Sequence, residues 1–229
     1  MNWQDEGYLL SKRKFRENAN IINIFTKEYG KVSGIVYGGN SRKIKNFLQI
    51  SNKIFTFYTS KNENRIGYFK SELIKAICPK YFGDRKRTSA LLSLSSLLNI
   101  LLPESQPNKI IYNSLEKLLS CFDDDNWFFL YIFWELNLIK ELGFDPNLNK
   151  DDKDDKDDKD NQLVLNLDID GSKYQVPKFL ITKKLPTVTD NYLINKSLIF
   201  TRSIMMNKFF TTNNLIFPKS RIILENYFN

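Results

Sequence analysis

Apolar and polar residues alternate along five short stretches within the first 75 residues of the chain. β-branched and aromatic side chains occupy every second position there, and turn-like polar clusters separate the stretches, which is the pattern of β-strands. The longest connection follows the third stretch, where residues 41–48 leave room for one helical turn or a loop. The pattern predicts strands at residues 7–12, 20–25, 31–37, 53–59 and 66–73. Five strands in this order are typical of an OB barrel, which closes to avoid exposed edges.

The spacing of apolar residues becomes helical after Cys78 and Pro79. Asp84 can cap a helix whose leucines at 91, 94, 98 and 101 form one face and which Pro103 ends. Residues 127–143 are apolar on nearly every side, so we expect that helix in the middle of a bundle. Further helices are predicted at 108–122, 190–210 and 219–227, and a β-hairpin at 163–176. The expected fold is α+β, with an OB-fold nucleic-acid-binding domain at 1–80 and a mainly helical domain at 81–229.

Residues 151–160 read DDKDDKDDKD and contain no apolar side chain. Such a run cannot bury enough surface to fold, so we expect a disordered insert at about residues 149–161. A calcium-binding loop is the alternative, but its required Gly turn and terminal Glu are missing.

Positive charge is concentrated at the start of the chain. Residues 1–80 carry 15 Lys and Arg against 6 Asp and Glu, whereas residues 81–150 carry 7 against 9. A local excess of nine positive charges attracts a polyanion, which concerns partners and not the fold.

The turns between the predicted strands are the basic part of this region. The first connection holds four cations, two lysines flank Tyr29 and Gly30 at the second, and three cations follow Gly38. Backbone phosphates meet Lys and Arg in OB folds, and bases stack on rings nearby. Singly, each lysine is also compatible with a solvated surface role, and Tyr37 with the core. The candidate DNA-binding residues are Lys12, Arg13, Lys14, Arg16, Tyr29, Lys31, Tyr37, Arg42, Lys43 and Lys45.

The chain has no histidine and two cysteines, Cys78 and Cys121. That composition excludes histidine-based acid–base catalysis and leaves too few soft ligands for a tetrahedral zinc site. With no phosphate-binding loop and no nucleophile motif, we expect a protein that is not an enzyme and has no cofactor or metal. Both cysteines are expected to be buried reduced thiols. No apolar run is long enough for a membrane span, and a signal peptide pattern is missing, so a cytoplasmic protein is expected.

Five segments of the chain are distinctive: DEGYLL at 5–10, FTKEYGK at 25–31, GGNSRK at 38–43, ELGFDPNL at 141–148 and VPKFL at 176–180. Together they resemble the RecO family of bacterial recombination mediators. The N-terminal segments are similar to the family's barrel, and the C-terminal ones to the flanks of its zinc-binding region. Where many members have zinc-binding cysteines, this chain has the Asp/Lys run, so zinc is not carried over.

This resemblance implies a nucleoid-associated, non-enzymatic protein with an OB domain joined to a helical domain. It implies binding of single- and double-stranded DNA, annealing of complementary strands, and partnership with RecR and single-strand-binding protein (SSB). It also implies an indirect role in loading RecA onto SSB-coated strands. Two other classes fit the same charge pattern: an OB-fold protein that binds RNA or the ribosome, and an interaction adaptor whose basic face holds an acidic peptide.

Overall fold

Five strands close into a barrel in the order β1-β2-β3-β5-β4 in a computed structural model of the chain, which describes residues 1–38, 41–62, 65–148, 163–186 and 190–229. The closed barrel confirms the predicted OB-type fold. The strands are β1 (Asn2–Phe15), β2 (Ala19–Thr26), β3 (Gly30–Tyr37), β4 (Lys53–Thr59) and β5 (Gly67–Lys75), with helix α1 (Arg42–Phe47) after β3. All neighbours are antiparallel except β3 and β5, which are parallel.

Strand β1 extends at both ends beyond the predicted residues 7–12. Its C-terminal half pairs with β2, so that Lys12 lies opposite Ile22 and Lys14 opposite Asn20. These basic residues therefore belong to a strand, and their placement in the first connection was wrong. A register shift between Leu9 and Ser11 divides the strand into two halves, and such a bulge bends and twists the strand that carries it.

The barrel interior is filled by aliphatic and aromatic side chains from all five strands. Leu48, which caps the C-terminus of α1, is fully buried in the same cluster, and Trp3 and Tyr29 pack against it from the rim. Burial of such side chains contributes roughly 1.5–3 kcal/mol each. The cluster consists of Leu9, Ile22, Ile24, Val32, Val36, Leu48, Ile54, Tyr58 and Phe69.

Helices follow the barrel, with α2 (Arg85–Leu101), α3 (Lys109–Ser120) and α4 (Trp127–Glu141) in succession. The C-terminal part contains a hairpin of β6 (Val164–Ile169) and β7 (Ser172–Pro177), then α5 (Lys178–Thr182), α6 (Asn191–Met205) and α7 (Lys219–Asn226). A single π turn (Met206–Phe210) continues α6, and a 3₁₀ turn (Cys78–Tyr81) precedes α2. The 3₁₀ turn and α5 were not predicted.

The chain divides into two compact units, Met1–Asn113 with Pro218–Leu224 and Ser114–Phe217 with Glu225–Asn229. The first contains the barrel and α2. In the second, α4 is buried along most of its length, as its apolar sequence predicted. Inside that unit, Glu135 accepts a hydrogen bond of 2.6 Å from Thr201 on α6. The division at residue 80 stays a prediction, and the predicted disordered insert lies outside the described residues.

Candidate nucleic-acid interface

The outer surface of β1, β2, β3 and β5 forms one continuous row of side chains. Arg13 pairs with Ile21, Ile21 with Ile35, and Ile35 with Tyr68 across the parallel strand pair. Because paired residues point to the same side of a sheet, and Ile22 next to Ile21 points into the core, this row faces outward. Phe15 and Ala19 pack with the two isoleucines on the same face.

Two exposed tyrosines stack on each other at one end of this face. Tyr37 and Tyr68 have ring centroids 5.4 Å apart and planes inclined by 19°, and they are 54% and 42% exposed. A hydrogen bond to Tyr68, followed by burial, raises the pKa of Tyr37, whereas the nearby charge of Arg16 lowers it. The stacked pair therefore presents open aromatic surface beside a cation.

Arg16 lies over the aromatic side chain that precedes it. Its guanidinium carbon is 5.2 Å from the centroid of the Phe15 ring, within the range of a cation–π interaction. Arg16 occupies the left-handed region at φ 55°, in the turn between β1 and β2. Arg13 and Arg16 thus border the aromatic face formed by Phe15, Tyr37 and Tyr68.

The remaining cations of β1 lie on the other side of the strand from Arg13. Lys12 and Lys14 alternate with Arg13 and pair with residues of the inward side of β2. Lys12 Nζ donates a hydrogen bond of 2.7 Å to the carbonyl oxygen of Leu48, and burial together with the charge of Lys45 lowers its pKa. The structure therefore brings Lys12 near Lys45 at the α1 end of the barrel.

Two predicted residues have structural roles. Lys31 is 7% exposed, and its Nζ donates 2.8 Å to the carbonyl oxygen of Asn99 and lies 3.5 Å from Glu104. Tyr29 stacks on Trp3 with centroids 4.2 Å apart and packs against the barrel core. Since these groups are engaged within the protein, we remove both from the candidate interface. The side chains of Arg42 and Lys43 lie outside the described part of the chain.

A polar groove lies at the other end of the outward face, and the sequence pattern did not predict it. Ser11, Asn23 and Ser33 lie opposite one another across β1, β2 and β3, and Asn99 reaches them from α2, so that Asn23 Nδ2 donates 2.7 Å to its Oδ1. Tyr68 was missed as well. Both depend on contacts between residues far apart in sequence, and only the polar positions of β2 and β3 hinted at them.

Cys78 and Cys121 are the two thiols of the chain. Cys78 is buried, and burial raises the pKa of its thiol, whereas Cys121 is half-buried, so the expectation of burial was wrong for Cys121. Among the described residues, no three His, Cys, Asp or Glu side chains are placed to hold a metal ion. In the same ranges, no helix has the length and apolarity that crossing a membrane requires.

A closed five-stranded barrel with an aromatic and basic outer face defines an OB-fold protein. The family description "Recombination protein O N terminal" matches residues 1–77, and "Recombination protein O C terminal" matches residues 83–164. The chain belongs to the RecO family.

Curated relatives support this assignment. A protein of Roseobacter denitrificans named DNA repair protein RecO is 34% identical over 145 residues, which cover 63% of this chain and 60% of the relative. The DNA repair protein RecO of Ehrlichia chaffeensis is 35% identical over 152 residues, 66% of this chain and 62% of the relative. The matched region thus spans about three fifths of the length of these relatives.

Proposed function

We propose that the chain is a non-enzymatic DNA-repair mediator that binds single-stranded DNA on the outward face of its barrel. The observation that carries this proposal is the exposed stack of Tyr37 and Tyr68 beside Arg16. Apolar rings left in water cost free energy, whereas a base stacked on such a ring contributes about 1–3 kcal/mol. Membership of a family whose relatives are named DNA repair protein supports the same function.

In this proposal, Arg13 and Arg16 neutralise backbone phosphates along the face. Each phosphate contact releases condensed counterions, so affinity falls as salt rises. Lys12, Lys14 and Lys45 form a second basic region at the α1 end of the barrel, where they attract duplex DNA or a second strand. Two strands held on one basic protein repel each other less and meet at a raised local concentration, which promotes annealing.

The wider role that we propose is to help load RecA onto strands coated with SSB, in cooperation with RecR. These partners follow from the family resemblance, and the contacts that they make with this chain are to be found by experiment. Strand annealing of complementary oligonucleotides, measured with and without SSB, tests this part of the proposal. Annealing that stops when SSB is added would contradict it.

The binding face is tested by titrating a fluorescent oligo-dT at several salt concentrations. Tyr68→Ala should weaken binding by about 5- to 150-fold, the equivalent of one lost stacking contact of about 1–3 kcal/mol. Arg13→Ala and Arg16→Ala should each reduce the salt slope by roughly 0.7, since one phosphate contact is lost. Tyr192→Ala is the matched control, because Tyr192 is an exposed tyrosine beside a lysine on α6.

If Tyr68→Ala binds with unchanged affinity and both arginine variants keep the wild-type salt slope, the outward face does not bind DNA. Competition with structured RNA then separates the alternatives. If tRNA displaces oligo-dT at equal concentration, the chain is better described as a general OB-fold binder of nucleic acids.

A further inference from the structure

We propose that the groove between the barrel and α2 receives one base of the bound DNA strand and prefers bases with carbonyl acceptors. This inference rests on the proposed function, because it concerns the same strand on the same face. The groove has a volume of about 460 Å³ and is lined by Ser11, Arg13, Ile21, Asn23, Ser33 and Asn99. Its size is in the range of small-molecule sites, which is about 300–1,000 Å³.

A chain of hydrogen bonds fixes the amide of Asn99 at the edge of the groove. Ser33 Oγ donates 2.9 Å to Asn23 Oδ1 and also lies 3.4 Å from both carboxylate oxygens of Glu104. Asn23 Nδ2 donates 2.7 Å to Asn99 Oδ1. The carbonyl oxygen of Asn99 accepts from the buried Lys31 Nζ. Since both oxygens of Asn99 are held in this way, its amide nitrogen has a fixed position.

The groups that remain available in the groove are donors. Within the described ranges, no hydrogen bond engages Asn99 Nδ2, the Ser11 hydroxyl or the Arg13 guanidinium. A neutral amide nitrogen and a guanidinium can only donate, and a hydroxyl can do so as well. Thymine and guanine carry carbonyl acceptors on the edges that such donors read, whereas adenine presents an amino group in that position.

The groove lies on the path of a strand that uses the tyrosine pair. Ile21, which lines the groove, is in the same outward row as Tyr68, two strands away. Neighbouring strands are about 4.8 Å apart, so the two positions are separated by roughly 10 Å. A DNA strand stacked on Tyr68 therefore passes the groove, where the exposed side chain of Ile66 supplies apolar surface for the face of a base.

The groove is tested by comparing oligo-dT with an abasic oligomer of equal length and charge. In the protein labelled with ¹⁵N, oligo-dT should shift the side-chain amide resonance of Asn99, and the abasic oligomer should leave it in place. Asn99→Asp keeps the acceptor for Asn23 and removes the donor, so the dT-to-abasic affinity ratio should fall about fivefold, the equivalent of one hydrogen bond. Ser96→Asp adds the same charge to α2 outside the groove and should leave the ratio unchanged.

Single adenine substitutions in oligo-dT should weaken binding to the wild-type protein and leave binding to Asn99→Asp unchanged. If dT binds while the Asn99 resonance does not move, the inference is overturned and the proposed function stands. If neither oligomer binds, both are overturned.

Discussion

Two glycines determine how closely the barrel packs where β3 meets β5. Gly34 pairs with Gly67 across these parallel strands. A Cβ atom on Gly34 would lie 2.3 Å from the ring of Phe69, and one on Gly67 would lie 2.4 Å from the ring of Tyr58. Both rings belong to the barrel core, so the absence of a side chain at these positions lets the aromatic residues fill the interior.

Gly34→Ala should therefore destabilise the protein, because the new methyl group displaces a packed ring. Overpacking of this kind costs about 1–3 kcal/mol in the free energy of unfolding. Gly83→Ala is the matched control, since its Cβ would meet no atom within 4 Å, and we expect little change there. Thermal or urea unfolding of the two variants measures the difference, and equal stabilities would contradict the packing argument.

Replacing Lys31 tests whether this cation has a structural role or a DNA-binding role. Lys31→Ala removes the bonds to Asn99 and Glu104 and should cost about 1–3 kcal/mol of stability, because a buried acceptor loses its partner. The salt slope of oligo-dT binding should not change, in contrast to Arg16→Ala. A reduced slope with intact stability would return Lys31 to the interface.

The candidate site could be predicted only in part, because some of its contacts join residues far apart in sequence. Local sequence indicated Tyr37 and the arginines near the first turn as candidates, since exposed cations and aromatic residues are recognisable as types, and their contact with DNA stays a prediction. It could not show that the partner of Lys31 lies 68 residues away or that Tyr68 faces Tyr37 from another strand. Contacts at such separations follow from tertiary structure.

At the scale of elements, α2 begins with three cations and depends on its cap. Arg85, Lys86 and Arg87 stand in the first turn, where the helix dipole favours negative charge. Asp84 accepts a 2.9 Å hydrogen bond from Arg87 N and a 2.7 Å bond from its guanidinium. Burial raises the pKa of Asp84, but the bonds and charge of Arg87 outweigh it, so the pKa lies below the ordinary value of 3.8.

Asp84→Ala should lower stability by about 1 kcal/mol near neutral pH. Because the folded-state pKa is depressed, this stabilisation is present above the unfolded value and is lost as pH falls through the folded value. Urea unfolding should thus show a difference between wild type and Asp84→Ala that shrinks below pH 3.8. Asp84→Asn keeps the capping bond without the charge, so its own stability should not show this loss in acid, and its cost relative to wild type should also shrink below pH 3.8. A difference that persists in acid would contradict this account.

The elements themselves were largely predictable. β4 occupies the predicted residues 53–59 because KIFTFYT is rich in β-branched and aromatic residues and turns flank it. β1 ended too early in the prediction because a cluster of cations resembles a turn, although cross-strand pairing with β2 holds Lys12, Arg13 and Lys14 in the strand. The 3₁₀ turn at Cys78–Tyr81 was missed because Pro79 discourages helix in the residue before it, yet it is tolerated at the start of a turn.

At the scale of the whole molecule, charge is the property that the acidic run changes most. Deleting residues 151–160 removes seven Asp and three Lys, so the formal charge rises by four, from +8 to +12. Oligo-dT should bind more tightly at low salt, and the gain should shrink at physiological ionic strength, where the Debye length is about 8 Å. A variant in which ten Gly and Ser residues replace the run has the same charge as the deletion at the full chain length. It should bind oligo-dT as tightly as the deletion does. Weaker binding at low salt would mean that the lysines of the run contact DNA.

The junction of β3 and β5 has the fewest paired residues of the barrel, and DNA binding should affect how often it opens. β3 and β5 share two residue pairs, whereas β2 and β3 share eight, so this junction should open most easily in local fluctuations. Tyr37 and Tyr68 stand on its two sides and stack on each other, and a base that stacks on this pair adds to the contact between the strands. A ligand that binds the closed state alone stabilises it. Hydrogen–deuterium exchange of amides 67–69 should therefore slow when oligo-dT is added, while exchange in α6 stays the same. We therefore expect bound DNA to keep β3 and β5 paired and the barrel closed.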